Sequence, residues 1–547
     1  MDASIHGLAT SKRLQPNSTS RANPKRKVLI QVRFDQGLLH EIANSIKSAS
    51  FLIIFICASI SSAKVLSAMS LRPRTQRVRD PLHNLVEFGT DQLEECLWKV
   101  VQTPPFQRLR RVRQLGFSEL VYPGATHTRF SHSIGAFHTA RKLMWIIVRH
   151  IENSRLQVQD HQKNVALAAA LVHDVGHGMF SHAFEDVGKR LSIQMAKHEL
   201  VSDRLIRESE ISNEFACLGS GFANDVADTI KRGRHGDLYG AVVSSQFDAD
   251  RLDYMQRDRL MTGVQNSGID FQWLLNNLEV GEVPVGSDDV QSGKILTFVL
   301  GEKAIHAAES YILSLFQLYP TIYFHKATRG AEKIFSELVI RIFKLARDGN
   351  IASTGLPPNH SLIKFAADPE SIELAINLDD TVFWGALPLL IESSDQVIRE
   401  LAARLWKRNL YKCFDVRKSI TKKLQEDGKL SDGAAGKEAN VNVVNKASEL
   451  VSEKIQELLG SDAGDAVPRM LVDKATRDPY KRFQDSKGML NQINIRDESG
   501  RIVDISEVSA IASMLEPFEL HRIYFNPDET GQTEVLSDIV NDSVAQC

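Results

Sequence analysis

His173 and Asp174 stand side by side at the end of the apolar run Val165–Val172 and are followed by Val175-Gly176-His177-Gly178-Met179-Phe180-Ser181-His182. A helix of small apolar residues is normally buried, so an imidazole and a carboxylate at its end need a partner that offsets their desolvation. A metal ion is such a partner. One dipeptide cannot fill the coordination sphere of a divalent cation, and the remaining ligands must come from distant parts of the chain. Thr128-Arg129-Phe130-Ser131-His132 offers His132 near the start of a helix predicted over Ser133 to Val148, with Arg129 beside it for an anion. The segment Phe247 to Asp258 is acidic at helical spacing, and Asp250 and Asp253 can share a face with Tyr254 and Arg257.

Neutral imidazoles and ionised carboxylates suit a borderline divalent ion, so His132, His173, Asp174 and Asp250 form the expected metal set. Separate buried polar residues, each satisfied by hydrogen bonds, would explain a lone histidine better than they explain the set. Such an ion supports water attack on phosphorus, which also requires proton transfer. His177, His182, Glu185 and His198 are the candidates for that work, because imidazole titrates near neutral pH and a carboxylate can orient it. Hydrogen-bonded histidines in a polar pocket are the plainer reading of these four. Arg129 and Arg251 suit phosphate, since guanidinium forks match its oxygens.

The order His132, His173-Asp174, Asp250 resembles the HD-domain metal-dependent phosphohydrolases. Phe106 to Gly116, Tyr122 to His132 and His173 to His182 are similar to the deoxynucleoside triphosphate triphosphohydrolases of that group. The resemblance runs from about Gln76 to about Ala346, with a weaker echo near Met470 to Phe525. It implies a divalent cofactor (Mn, Mg, Fe or Zn), His177 on the phosphate chain, and His182 with Glu185 and His198 serving the deoxyribose 5′ oxygen. Gln114 and Asp258 would meet the 3′ hydroxyl, Leu115 the base, and Tyr254 and Tyr323 the sugar, where a tyrosine packed at C2′ excludes ribose. Packing in the core is an equal expectation for Tyr323. The family commonly has Asp where Glu185 stands and Lys where Arg251 stands. Gln107, Arg110, His325 and Lys326 match part of the site for an activating nucleotide in regulated tetrameric relatives. Gln102, Arg79, Trp273, Leu315 and Tyr319 depart from that site, so basal activity or a different activator fits as well as dGTP control. A homo-oligomer, dimer or tetramer, is expected from the family.

Positioning these residues calls for a mainly α fold: an HD-type helical core with a small β-hairpin and a C-terminal α+β lobe. An extended entry at Arg79–Phe88 precedes a helix over Thr90–Val101, which Thr103-Pro104-Pro105 ends. A hairpin is predicted from Val280–Asp289 and Ile295–Leu300. Alternating patterns at Arg469–Asp473, Ile502–Ile505 and His521–Phe525 predict strands, and a helix is expected near Ala447–Leu459. The expected division is an N-terminal extension (1–68), an HD domain (69–346), a helical extension (347–427), a Gly/Ala-rich linker (428–441) and the α+β lobe (442–547). The extension carries a basic stretch, the apolar run Phe51–Ile60 and small residues at Ser61–Ala63. It reads as a leader or, preferably, as sequence upstream of a natural start at Met69.

With 547 residues, 43% hydrophobic and 24% charged, and a net charge of -2, the composition is that of an ordinary globular chain, without the basic excess of a nucleic-acid binder. Five scattered cysteines outside any CxxC pattern fit a reducing, cytoplasmic setting, and no membrane partner is expected. The reading that gathers most of these features is hydrolysis of a dNTP to deoxynucleoside and inorganic triphosphate. A metal-dependent hydrolase of another nucleotide or phosphoester and a nucleotide-sensing scaffold are the competing readings. The missing HD-GYP signature weighs against cyclic dinucleotides, and the complete ligand set weighs against a scaffold.

Overall fold

The computed structural model describes residues 74–232, 237–265, 268–284, 294–460, 466–478, 480 and 492–547. The basic N-terminal stretch, the apolar run 51–60, Met69 and the turn of the predicted hairpin at 285–289 lie outside the described residues.

The entry at Arg79–Phe88 is a hairpin rather than one extended segment. Strand β1 (Gln76–Asp80) pairs antiparallel with β2 (Asn84–Phe88). The carboxylate of Asp80 accepts from the backbone N–H groups of Leu82 and His83 at 3.0 and 2.8 Å, which turns the chain. Helix α1 (Gln92–Gln102) starts on an Asp91 cap, stops before Pro104, and buries Leu93, Leu97, Val100 and Val101 along one side.

Helix α2 (Arg129–Asn153) is longer than the periodicity predicts, and α3 (Asp160–Val172) carries the run Val165–Val172, every residue of which is buried. A helix apolar all round must be central, and α3 packs against α2 on one side and the helix Phe222–Arg232 on another. Then come α4 (His182–Leu191), α5 (His198–Glu208) and α6 (Ala249–Thr262). Asp248 caps α6 by accepting from the Arg251 N–H, and Gly263 ends it at φ 74, a left-handed conformation suited to glycine. Gly135 lets α2 and α6 approach closely, because a Cβ there would sit 2.1 Å from the Asp253 carboxylate and the Arg257 guanidinium.

Strands β3 (Leu278–Pro284) and β4 (Lys294–Gly301) form the predicted antiparallel pair. Helix α7 (Ile305–Leu318) widens into a π-type turn over Tyr319–Tyr323, where Pro320 cannot donate to a regular ladder, and α8 (Lys326–Arg347) follows a His325 cap. Helix α9 (Asp380–Ile391) lies further on, and β5 (Lys412–Asp415) leads into α10 (Val416–Glu426). The stretch 428–441 is not an open linker through its length, because α11 (Gly433–Leu459) begins inside it. Alanines favour the helix there, and Val444, Ala447, Val451 and Ile455 give it a buried stripe.

Beyond α11 lie β6 (Met470–Arg477), β7 (Asn494–Arg496), β8 (Ile502–Asp504), β9 (Phe518–Phe525) and α12 (Gln532–Ala545). The fold is mainly α, with an HD-type helical core, a small hairpin and a C-terminal α+β region. That region does not stand apart. Strand β7 pairs in parallel with β4, giving a sheet ordered β3-β4-β7-β8, while β5, β9 and β6 form a second sheet with β9 in the middle. Residues 74–547 constitute one compact unit. A smaller apolar core joins α10, α11 and α12 to the outer face of the second sheet. Among the described residues, no helix is long and apolar enough to cross a membrane.

Candidate active site

His132 lies in the first turn of α2, His173 and Asp174 directly after α3, and Asp250 in the first turn of α6. Three elements distant in sequence therefore bring the four predicted ligands to one point. His132 Nε2 is 3.0 Å from Asp250 Oδ1, 3.3 Å from His173 Nε2 and 3.6 Å from Asp174 Oδ2. His173 Nε2 is 3.5 Å from both Asp174 Oδ1 and Asp250 Oδ1. Neighbouring donors around a first-row ion, with bonds of about 2.1 Å, stand roughly 3 Å apart. The donor set fits a divalent metal in both chemistry and spacing.

The other ring nitrogens fix this orientation. His132 Nδ1 bonds the Asp253 carboxylate at 2.9 Å, and His173 Nδ1 donates to the Ala170 carbonyl at 3.0 Å, so both Nε2 atoms face the centre. Asp253 is fully buried and also binds His83 at 2.6 Å and Arg257 at 2.7 Å, while Arg257 reaches Asp80 at 2.7 Å. Burial works against charge on His132, but the carboxylates of Asp250 and Asp253 outweigh it and push the imidazole up to about 10. Burial likewise opposes the Asp174 carboxylate, yet Arg129, His173 and His177 hold it well below the usual carboxylate range.

Beside this centre opens a cavity of about 690 Å³, within the range of small-molecule sites. Asp174, Asp250, all four proton-transfer candidates and all seven predicted substrate residues line it. His177 Nε2 lies 3.3 Å from Asp174 Oδ1, and its ring stacks on His198 at 3.9 Å. Burial, Arg129 and His198 push His177 well below the usual histidine range. Among the described residues its Nδ1 is buried without a partner, as is Gln114 Oε1. Glu185 accepts from His182 Nδ1 at 3.2 Å and closely from His198 Nδ1. Although burial opposes its charge, those two bonds hold Glu185 far below the usual carboxylate range.

Arg129 bonds the Asp174 carboxylate and, at 2.9 Å, Ser181 Oγ. Arg251 meets Gln246 at 2.8 Å and Asp248 at 3.6 Å. The Tyr323 hydroxyl donates to Asp258 Oδ2 at 2.8 Å, and Asp258 Oδ1 faces His127 Nε2 at 2.8 Å. The Tyr254 ring is 6.4 Å from the Tyr323 ring. Gln107, Arg110, His325 and Lys326 do not line this cavity. Arg110 bonds Gln107 at 2.9 Å and lies over the Phe130 ring, whereas His325 caps α8 against Tyr122, and no hydrogen bond or ion pair among the described residues joins the two groups.

Sequence reasoning gave no role to His83, Asp80, His127 or Asp380. Asp380, on α9, accepts from the backbone N–H of Phe180 at 2.7 Å and of Arg113 at 2.8 Å. It thereby holds the loop in which Phe180 and Ser181 take positive φ values of 52 and 54, a costly conformation for non-glycine residues. Burial pushes Asp380 up to about 7, against the pull of those two N–H groups. Helical spacing on α6 placed Asp253 and Arg257 on one face but did not reveal their distant partners.

Residues 129–259 match the HD domain and 290–354 the HD associated region. Protein YwfO of Bacillus subtilis (strain 168) is 30% identical over 336 residues, a span covering 61% of this chain and 70% of that one. The chain belongs to the HD-domain phosphohydrolase family. As an HD protein it is metal-dependent, and His132, His173 and Asp250 can hold the ion. It is also 26% identical over 375 residues to the deoxynucleoside triphosphate triphosphohydrolase SAMHD1 of Bos taurus, covering 61% of this chain and 58% of that one. The fold is shared with a phosphohydrolase from Bacteroides thetaiotaomicron VPI-5482, at TM-score 0.60 and 24% identity, over 83% of this chain and 100% of that one.

Proposed function

We propose that this HD protein hydrolyses deoxynucleoside triphosphates to deoxynucleoside and inorganic triphosphate. The observation that carries the reading is a cavity walled at one end by Asp174 and Asp250 of the expected metal set and, further along, by a Gln114 oxygen buried without a partner among the described residues and the Tyr323–Asp258 pair. Similarity to SAMHD1 of Bos taurus supports the same substrate class.

His132, His173, Asp174 and Asp250 would hold the ion, which when bound supplies charge neutralisation and acidifies water. Arg129 and Arg251 grip phosphate oxygens. His177 meets the phosphate chain from the cavity wall, beside Asp174. His182, oriented through its Nδ1 by Glu185, exchanges a proton with the 5′ oxygen, and His198 steadies the same carboxylate. Asp258 and Gln114 receive the 3′ hydroxyl, Leu115 meets the base, and Tyr254 and Tyr323 close on the sugar face. Gln107 with Arg110 and His325 with Lys326 form parts of an activator site that assembly of copies would join, in a homo-oligomer working in the cytoplasm.

The test is product analysis with each dNTP, alone and in pairs, in Mn²⁺ or Mg²⁺. Deoxynucleoside plus triphosphate, abolished in His173→Ala, is the expected result. Turnover restricted to other phosphoesters would replace the dNTP reading, and protein that retains no stoichiometric metal would indicate a scaffold.

A further inference from the structure

Strand β6 is an edge strand, and its side chains alternate between two environments. Met470 and Val472 pack into the smaller core, whereas Leu471 joins the main core and Asp473 binds Arg329 through both carboxylate oxygens. Continuing that alternation, Arg477 falls on the face turned toward the HD region, and its guanidinium carbon lies 5.1 Å from the centre of the Tyr319 ring. Tyr319 in turn is 5.2 Å from Tyr323. Arg477 and Lys474 both line the active-site cavity.

Among the lysines and arginines that line the cavity, three meet no carboxylate of the described residues: Lys189 on α4, and Lys474 and Arg477, the two on β6. Arg129 and Arg251 already meet Asp174 and Asp248, and Arg329 and Lys333 meet Asp473 and Asp186. By contrast, no carboxylate among the described residues pairs with Arg477 or Lys474. Arg477 hydrogen-bonds the Tyr319 side chain, and a cation that meets no carboxylate on the wall of a cavity attracts anions and binds them through charge-assisted hydrogen bonds.

We infer that Arg477 forms a second anion subsite through which the C-terminal region contacts the phosphate chain of the substrate, with Lys474 adding positive charge to the same cavity wall. This deepens the dNTP reading and rests on it for the identity of the anion. The second sheet is then part of the active-site wall, and Arg477 is a substrate-binding residue.

Steady-state kinetics of the full chain, wild type against Arg477→Gln and Arg477→Lys, test the subsite. For Arg477→Gln, KM for a dNTP rises about tenfold with little change in kcat and none in bound metal, and Arg477→Lys recovers part of the loss. An unchanged KM in Arg477→Gln overturns the subsite and leaves the dNTP reading standing. If the wild type turns over no dNTP, that reading fails, and binding of inorganic tripolyphosphate to metal-free protein, measured by calorimetry, decides the subsite by itself. Weaker binding in Arg477→Gln sustains it, and equal binding in the two proteins overturns it.

Discussion

At the residue scale, His132 is held from both sides by α6: Asp250 faces Nε2 and Asp253 faces Nδ1. A carboxylate on the far ring nitrogen fixes the tautomer and makes the imidazole a better ligand. Asp253→Asn keeps the shape and removes the charge, and metal affinity is expected to fall about 10- to 100-fold in a metal titration, with the fold intact by circular dichroism. Glu185 supports a second prediction. Its carboxyl is held below its ordinary value by His182 and His198, so the stability it contributes is present above the unfolded value of about 4.5 and is lost as pH falls below it. Urea midpoints of the wild type should therefore drop more steeply between about pH 5 and pH 3 than those of Glu185→Gln. Equal slopes would remove the linkage. The convergence of the expected ligands was legible because each carries a local mark: an apolar run before His173 and Asp174, an acidic helix start at Asp250, and a helix start with Arg129 close to His132. The supports were not, since His83 lies 170 positions from Asp253 and Phe180 lies 200 from Asp380, and no local pattern records such pairings.

Between elements, the decisive contact is α2 against α6, because it sets His132 against Asp250 and Asp253. Gly135 makes room for it. In Gly135→Ala the added methyl would overlap the buried Asp253–Arg257 pair, and separating a buried ion pair costs about 3–5 kcal/mol. Chemical denaturation should show a loss of that order, with metal retention falling alongside. A change below about 1 kcal/mol would mean that the helices slide apart freely, against the close packing expected of a core. Periodicity revealed most of the helices and the hairpin, but the Gly/Ala-rich stretch 428–441 misled it. Glycine and alanine lack the bulky apolar residues by which a buried helix is recognised, and the stripe that stabilises α11 begins only at Val444.

Over the whole molecule, the C-terminal region is tied to the HD core by a shared sheet and a buried ion pair. Strand β7 extends the hairpin sheet through β4, and Asp473, fully buried on β6, meets Arg329 of α8 through both oxygens with Lys333 3.7 Å away. Helix α8 also forms the cavity wall through Arg329, Glu332, Lys333 and Ser336, so the same contact that docks the sheet shapes the site. Asp473→Ala leaves two cations facing a void, and a stability loss of about 3–5 kcal/mol is expected. The loss should not be uniform. Amide exchange should accelerate first in β6 and its partner β9, while α2 and α3 keep their protection, because the main core does not depend on this pair. If β6 exchanges no faster than in the wild type, the sheet is held by apolar contacts alone. If α3 loosens equally, docking of the second sheet is an obligatory step in folding the core rather than a clamp applied to its surface.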